Sequence, residues 1–138
     1  MKEIICGIIG AIFGTISFIY GGWTEAMTTL CAVMLIDYVS GFVVAGIFKN
    51  SPKTENGALE SRAGFKGLIR KFFILIIVLI ACRLDILLGT EYVRNCVIIA
   101  FIANEVLSII ENAGLMGIPI PKVITNAIEI LKKKEEKQ

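Results

Sequence analysis

The sequence predicts an all-α membrane protein, and three observations support this fold class. Of the 138 residues, 56% are hydrophobic and only 19% are charged. The mean hydropathy is +0.79, whereas soluble domains are nearer half apolar and a quarter charged. The apolar residues are gathered into four stretches, each close to the ~20 residues with which an α-helix crosses a bilayer. We therefore expect a single integral membrane domain over residues 1–138.

The four stretches define the predicted transmembrane helices, at about residues 4–20, 26–48, 72–89 and 93–110. Lipid cannot satisfy backbone hydrogen bonds, so each span is expected to be helical. The first span is short and rich in glycine, which leaves three crossings as an alternative to four. It contains Gly10 and Gly14, a G-x-x-x-G pair that allows two helices to approach closely. We assign both glycines to helix packing.

The basic residues predict the orientation of the chain in the membrane. The loop over residues 49–71 and the C-terminal tail are rich in Lys and Arg, whereas the short connectors at 21–25 and 90–92 contain neither. Basic residues flanking spans are retained in the cytoplasm. Both termini and the central loop are therefore predicted to be cytoplasmic, which requires an even number of crossings.

Two segments are predicted to form amphipathic helices at the membrane surface. Within residues 59–71, Arg62, Lys66 and Arg70 recur every four residues, with Phe65 on the other side. The tail has apolar residues at helical spacing over about 120–134, followed by a basic cluster. Basic amphipathic helices bind anionic membrane surfaces. Membrane lipids are therefore expected partners of this chain.

Ionisable side chains lie inside three of the predicted spans. Asp37 is in the second, Arg83 and Asp85 are in the third, and Glu105 follows Asn104 in the fourth. Residue counting from the span ends puts Asp37, Arg83 and Asn104 near the midplane. Such residues normally face a bundle interior or an aqueous path. We predict that Arg83 pairs with Asp37 or Glu105, within or between subunits; the alternative is that they are structural polar contacts that fix helix register.

Small and polar residues also form faces on two of the spans. In the fourth span, Ala100, Asn104, Ser108 and Glu111 recur at helical spacing, a stripe that can line a wet seam or bond to a neighbouring helix. In the second span, Gly41 shares the face of the intramembrane aspartate. The candidate assembly or pore residues are Asp37, Gly41, Arg83, Asp85, Asn104, Glu105 and Ser108.

The composition argues against several classes of function. The chain contains no histidine, which removes the commonest general base and the commonest transition-metal ligand. Its four cysteines all lie within apolar spans without C-x-x-C spacing, so they indicate neither a disulfide nor a metal site. The net charge of +2 is too small to indicate a nucleic-acid partner. We therefore expect no catalytic, cofactor or metal site, and no enzymatic activity.

Five short motifs, taken in order, resemble the toxin-secretion/phage-lysis holin family. They are Asp37-Tyr38-Val39-Ser40-Gly41, Ser61-x-x-Gly64-x-x-Gly67-Leu68-x-x-Lys71, Leu84-Asp85, Asn104-Glu105-x-x-Ser108-Ile109-x-Glu111-Asn112 and Gly117-Ile118-Pro119-Ile120-Pro121. The resemblance covers about residues 32–131. Asp37, Asp85, Asn104 and Glu105 match positions of the family pattern, whereas Arg83 does not.

The resemblance implies a non-enzymatic protein of the bacterial cytoplasmic membrane, encoded by a bacterium or a prophage. Such holins form homo-oligomers that open lesions or pores, through which an endolysin or a toxin leaves the cytoplasm as cargo. Two other functions stay open at this stage. One is a small ion- or proton-coupled multidrug-type transporter, because an intramembrane carboxylate is the usual coupling group. The other is a non-conducting subunit that binds a partner within the membrane.

Overall fold

The computed structural model describes residues 1–135 and folds them into five α-helices. These are α1 (Lys2–Ile19), α2 (Glu25–Gly46), α3 (Ser61–Leu88), α4 (Tyr92–Leu115) and α5 (Lys122–Glu135). There is no strand within residues 1–135. The predicted all-α class is therefore confirmed for the part of the chain that the structure describes.

Local signals explain where the helices begin and end. The side chain of Thr24 accepts a hydrogen bond from the backbone N–H of Met27 and so caps the start of α2. Gly89 ends α3 in the left-handed conformation, at φ 66°, which glycine adopts at little cost. Pro119 and Pro121 separate α4 from α5, since proline cannot continue a hydrogen-bonded helix.

Three helices, α1, α2 and α4, are long and apolar enough to cross a membrane. The longest helix, α3, has 28 residues, but its apolar part includes Lys71, Arg83 and Asp85. The length and apolar composition predicted for membrane-spanning helices are thus confirmed for three helices. The crossing by α3 and the cytoplasmic position of the termini stay predictions.

The helices α2, α3 and α4 pack together as a bundle, with the most extensive contact between α2 and α4. One half of this bundle, nearest the start of α2 and the turn between α3 and α4, has an apolar core, which we call the apolar half. Its buried side chains are Met27, Leu30, Met34, Ile74, Val78, Cys82 and Ile98. The antiparallel course of α2 and α3 brings the two helices' buried residues level with each other.

By contrast, α1 buries none of its residues. A Cβ atom added at Gly10 or Gly14 would meet no atom of another element within 4 Å. The helix packing predicted at these two glycines is therefore not made within the chain. A connection to the bundle follows α1 directly, where the hydroxyl of Tyr20 donates a hydrogen bond of 2.8 Å to the carbonyl oxygen of Leu75.

The amphipathic segment of the central loop forms the first part of α3, continuous with the apolar part. It packs along the second half of α2, where Gly64 and Gly67 leave room for the rings of Tyr38 and Phe42. The Tyr38 hydroxyl donates to the carbonyl oxygen of Gly64 at 3.2 Å. The basic cluster predicted at residues 132–137 lies outside the residues whose side chains the structure describes.

Candidate functional site

The other half of the bundle contains a buried ionic cluster. The Lys71 Nζ atom of α3 donates to Asp37 Oδ2 of α2 at 2.7 Å and also to Glu105 Oε2 of α4. Asp37 is 7% exposed and Glu105 4%. One ammonium group therefore joins three helices. We call Asp37, Lys71, Glu105 and Asn112 the lysine cluster.

Asn112 is the fourth member and connects α4 to α2. Its Nδ2 donates to Ser40 Oγ at 2.8 Å and to Asp37 Oδ1 at 3.3 Å. The Ser40 hydroxyl in turn donates to the backbone carbonyl of Asp37 at 3.0 Å. A Cβ at Gly41 would lie 3.9 Å from Asn112 Nδ2, an ordinary contact distance. The small residues of this face thus let the two helices approach to hydrogen-bonding distance.

The charges of the lysine cluster are not balanced one to one. When all three ionisable groups are charged, two carboxylates share one ammonium and the formal sum is −1. Burying a charge is costly unless it is paired and hydrogen-bonded, and the amide of Asn112 supplies a further donor to Asp37. The arrangement can hold three helices in register, and its carboxylates can exchange a proton or a cation if water reaches them.

A cavity of about 120 Å³, large enough to hold water, borders the lysine cluster. Its lining includes Asp37, Glu105, Asn104, Ser108 and Thr54. Asn104 is exposed, and it borders the cavity together with Ser108. Of the polar positions on α4, Asn112 makes the hydrogen bond to α2, while Asn104 and Ser108 lie along a space large enough for water.

The predicted pairing of Arg83 with Asp37 or Glu105 is wrong within the chain. Arg83 is exposed, and Lys71 occupies the place between the two carboxylates. Arg83 lies twelve residues further along α3, about 18 Å at 1.5 Å per residue. Counting residues from the span ends assumes that the apolar part of α3 starts level with the end of α2, which places Arg83 level with Asp37. In the structure that start is level with Asp37. A pairing between subunits stays a prediction.

Asp85 is separate from the lysine cluster and lies at the turn between α3 and α4. Its Oδ1 accepts hydrogen bonds from Thr90 Oγ1 at 2.6 Å and from the backbone N–H of Val93 at 3.0 Å. Its Oδ2 accepts one from the N–H of Arg94 at 2.7 Å. The N–H groups of Val93 and Arg94 are orphan donors of the first turn of α4. Within the chain, Asp85 thus fixes the turn; a part in assembly stays a prediction.

Two members of the lysine cluster, Lys71 and Asn112, were not among the predicted site residues. Lys71 was counted only as a basic residue of the loop and as part of a motif. The sequence nevertheless contains a signal that Lys71 faces the bundle. Lys71 lies on one face of α3, between two small residues before it and two core residues after it, all spaced by three or four residues. That face comprises Gly64, Gly67, Lys71, Ile74 and Val78.

Comparison with known proteins identifies the family. A model of the bacteriophage holin family matches residues 14–133. The chain belongs to this family. An uncharacterised protein of Halalkalibacterium halodurans is 36% identical and covers 99% of this chain and 100% of its own length. An uncharacterised protein of Listeria monocytogenes is 38% identical over 88% of this chain and 79% of its own.

A phage protein is also among the holin-family relatives. A probable holin of Bacillus phage phi105 is 29% identical over 80% of this chain and 76% of its own length. No solved structure gives a significant match. The resemblance seen in the sequence motifs is therefore confirmed: the chain is a membrane protein of the holin family.

Proposed function

We propose that this protein is a holin, which forms homo-oligomers in the cytoplasmic membrane of a bacterium and opens lesions there. An endolysin or a toxin then leaves the cytoplasm through the lesion, without a direct contact to the holin being required. The observation that carries the proposal is the match of the bacteriophage holin family to residues 14–133. The probable holin of a Bacillus phage supports it and suggests a prophage origin. Neither a cofactor nor an enzymatic activity enters this function.

The proposed topology has four crossings with both termini in the cytoplasm. The cations of residues 49–71 favour a cytoplasmic position for the central loop. α3 then crosses despite its charges because two of them are satisfied by protein. Lys71 is paired with Asp37 and Glu105, and Asp85 accepts three hydrogen bonds at the turn. Arg83, five residues before the end of α3, extends toward the membrane surface as long cationic side chains do.

The lysine cluster supports a role in assembly. It stabilises the closed bundle, yet the cavity beside Asp37 and Glu105 lets water reach the same carboxylates. When copies assemble, these groups can be hydrated or paired across subunits at little additional cost. The core cluster of the apolar half contains no charged side chain and would keep its packing during that change. We therefore propose that the cavity side of the bundle becomes hydrated when the copies assemble.

Induced expression in a bacterial host tests the proposal. The measurements are the entry of a membrane-impermeant dye and the release of a cytoplasmic fluorescent protein. A holin gives an abrupt release after a delay, and Asp37→Asn or Lys71→Met changes the delay or abolishes the release. Lys53→Gln serves as a matched control because it removes an exposed cation near the same cavity. Accumulation in the membrane with no release of dye or protein would contradict the proposal.

A small ion-coupled transporter is the second candidate, favoured by the two buried carboxylates beside the cavity. It would export a small cationic compound in exchange for protons, with Asp37 or Glu105 as the coupling group. Its signature is proton-linked efflux in intact cells without protein release. A non-conducting membrane subunit would give neither signal. The same two assays therefore separate all three functions.

A further inference from the structure

The outward face of α3, which points away from α2 and α4, changes its chemistry at Lys71. Beyond this residue the face is apolar and exposed. It carries Phe73, Ile77, Ile80, Leu84 and Leu87. At 100° per residue these five lie within an arc of about 80°. In the proposed topology this apolar strip faces the lipid chains.

Before Lys71 the same side of α3 carries three cations, of which Arg62 and Lys66 lie within this arc and Arg70 lies about 20° beyond it. Arg62, Lys66 and Arg70 are spaced by four residues and are exposed. None of the three forms an ion pair with any side chain that the structure describes. They extend over about 12 Å of helix. The lipid-facing strip therefore continues directly into a basic strip that has no acidic partner in the described chain.

Apolar side chains flank this basic strip. Phe65 is 65% exposed and Phe73 is 55% exposed, and they lie three residues after Arg62 and Arg70, respectively, which makes each ring a neighbour of a cation on the helix surface. A water-filled seam would leave these rings in water at a cost in free energy. The headgroup layer of a bilayer accommodates both kinds of side chain, because the ammonium and guanidinium groups meet phosphates while the rings enter the acyl boundary.

We propose that Arg62, Lys66 and Arg70 bind the headgroup phosphates of anionic phospholipids. The occupant is a lipid of the leaflet at the start of α3, and the recognised chemistry is a phosphate beside an acyl chain. Charge complementarity supports this occupant, since the segment 61–72 contains four cations and no acidic residue. The proposal goes beyond the holin function and concerns how α3 is fixed in depth within the membrane.

Lipid binding by the purified full-length protein in a zwitterionic detergent tests this proposal. Short-chain phosphatidylglycerol and short-chain phosphatidylcholine are titrated separately, and bound lipid is counted by native mass spectrometry. Each cation near an anionic headgroup contributes a factor of about five to the affinity. Replacing all three by Gln is thus expected to weaken phosphatidylglycerol binding about 100-fold. The single variant Lys66→Gln is expected to weaken it about fivefold.

The matched control carries Lys2→Gln, Lys49→Gln and Lys53→Gln, which remove the same charge from three exposed positions outside the two amphipathic segments. It is expected to bind phosphatidylglycerol like the wild type. Equal losses in both triple variants, or equal binding of phosphatidylcholine, would overturn the proposal. So would displacement of the lipid by inorganic phosphate at the same concentration, which indicates a site for free anions. If the triple variant does not fold, the single variant Lys66→Gln tests the proposal by the same titration. This experiment measures lipid binding and not the release of protein from cells. Its result therefore stands even if the proposed holin function is wrong.

Discussion

The two halves of the helix bundle are stabilised by different interactions. In the apolar half, Leu30, Val78 and Ile98 are each 0% exposed and belong to the apolar core. In the other half, Lys71 joins Asp37 and Glu105 through charge-assisted hydrogen bonds. Both halves involve the same three helices. The comparison therefore shows how side-chain chemistry alone divides one bundle into two regions.

The difference matters more in a membrane than it would in water. Lipid chains are as apolar as leucine, so burial of apolar side chains adds little driving force and close packing must supply the stability. A buried ionic cluster behaves in the opposite way, because breaking it leaves a charge without a partner. The apolar half should therefore tolerate substitution better than the lysine cluster does.

The largest effect is expected for Lys71→Met, which keeps the length of the side chain but removes the shared ammonium. Two buried carboxylates then face each other without a cation, and we expect a loss of about 3–5 kcal/mol in the free energy of unfolding. The measurement is denaturant-induced unfolding in detergent micelles. Arg70→Met is the control, because Arg70 is the adjacent but exposed cation.

Rescue sharpens this test. Adding Asp37→Asn and Glu105→Gln to Lys71→Met removes both unpaired charges and should recover most of the lost stability. A loss for Lys71→Met no larger than that for Arg70→Met would show that the lysine cluster contributes little to the bundle.

A smaller effect is expected for Leu30→Ala in the apolar half. The substitution leaves a cavity in a packed core, and in the lipid setting we expect a loss of about 2 kcal/mol, at the lower end of the range for soluble proteins. Leu35→Ala is the control on the same helix, because Leu35 is 64% exposed. Similar unfolding curves for the two variants would argue against a close-packed core in this half.

Asp85→Ala tests the turn that closes the apolar half. It removes two hydrogen bonds from the start of α4 and one from the Thr90 hydroxyl in the turn, and loss of a helix cap costs about 1–2 kcal/mol. Glu91→Ala is the control, since Glu91 at the N-cap position of α4 makes no side-chain capping bond. The same detergent unfolding experiment applies, and equal stability of the two variants would contradict the capping role.

The smallest effect is expected for Gly41→Ala, beside the lysine cluster. The added methyl group would lie 3.9 Å from Asn112 Nδ2, so it fits without a clash. Alanine also favours the helix over glycine by up to about 1 kcal/mol. Stability should stay unchanged or rise slightly. A loss above 1 kcal/mol in the thermal or denaturant unfolding of this variant would show that α2 and α4 pack more tightly than the structure indicates.

The sequence predicted the helices well because each depends on local information. The order of residues alone shows the length of the apolar segments in α1, α2 and α4. It also shows Gly89 and Pro119, which mark where helices end. That Asp37 and Glu105 are paired was also predictable, since an acid in an apolar helix requires a partner.

The identity of that partner was not predictable from counting residues. It depends on how far α3 slides along α2, and contacts such as Tyr38 with Gly64 and Gly67 set this register. A shift of α3 along α2 by a few helical turns would place Arg83, instead of Lys71, between the two carboxylates. Register between helices is a tertiary property, so composition and periodicity alone left it open.

The isolation of α1 has a consequence for how the chain responds to its surroundings. With no side chain buried against the bundle, the tilt of α1 and its rotation about its own axis are set by the thickness of the bilayer and by adjacent molecules. α1 can exchange those neighbours while the Lys71 contacts stay intact. As the number of copies in the membrane rises, the N-terminal helix would therefore be the first to change its contacts, before the packed helices respond.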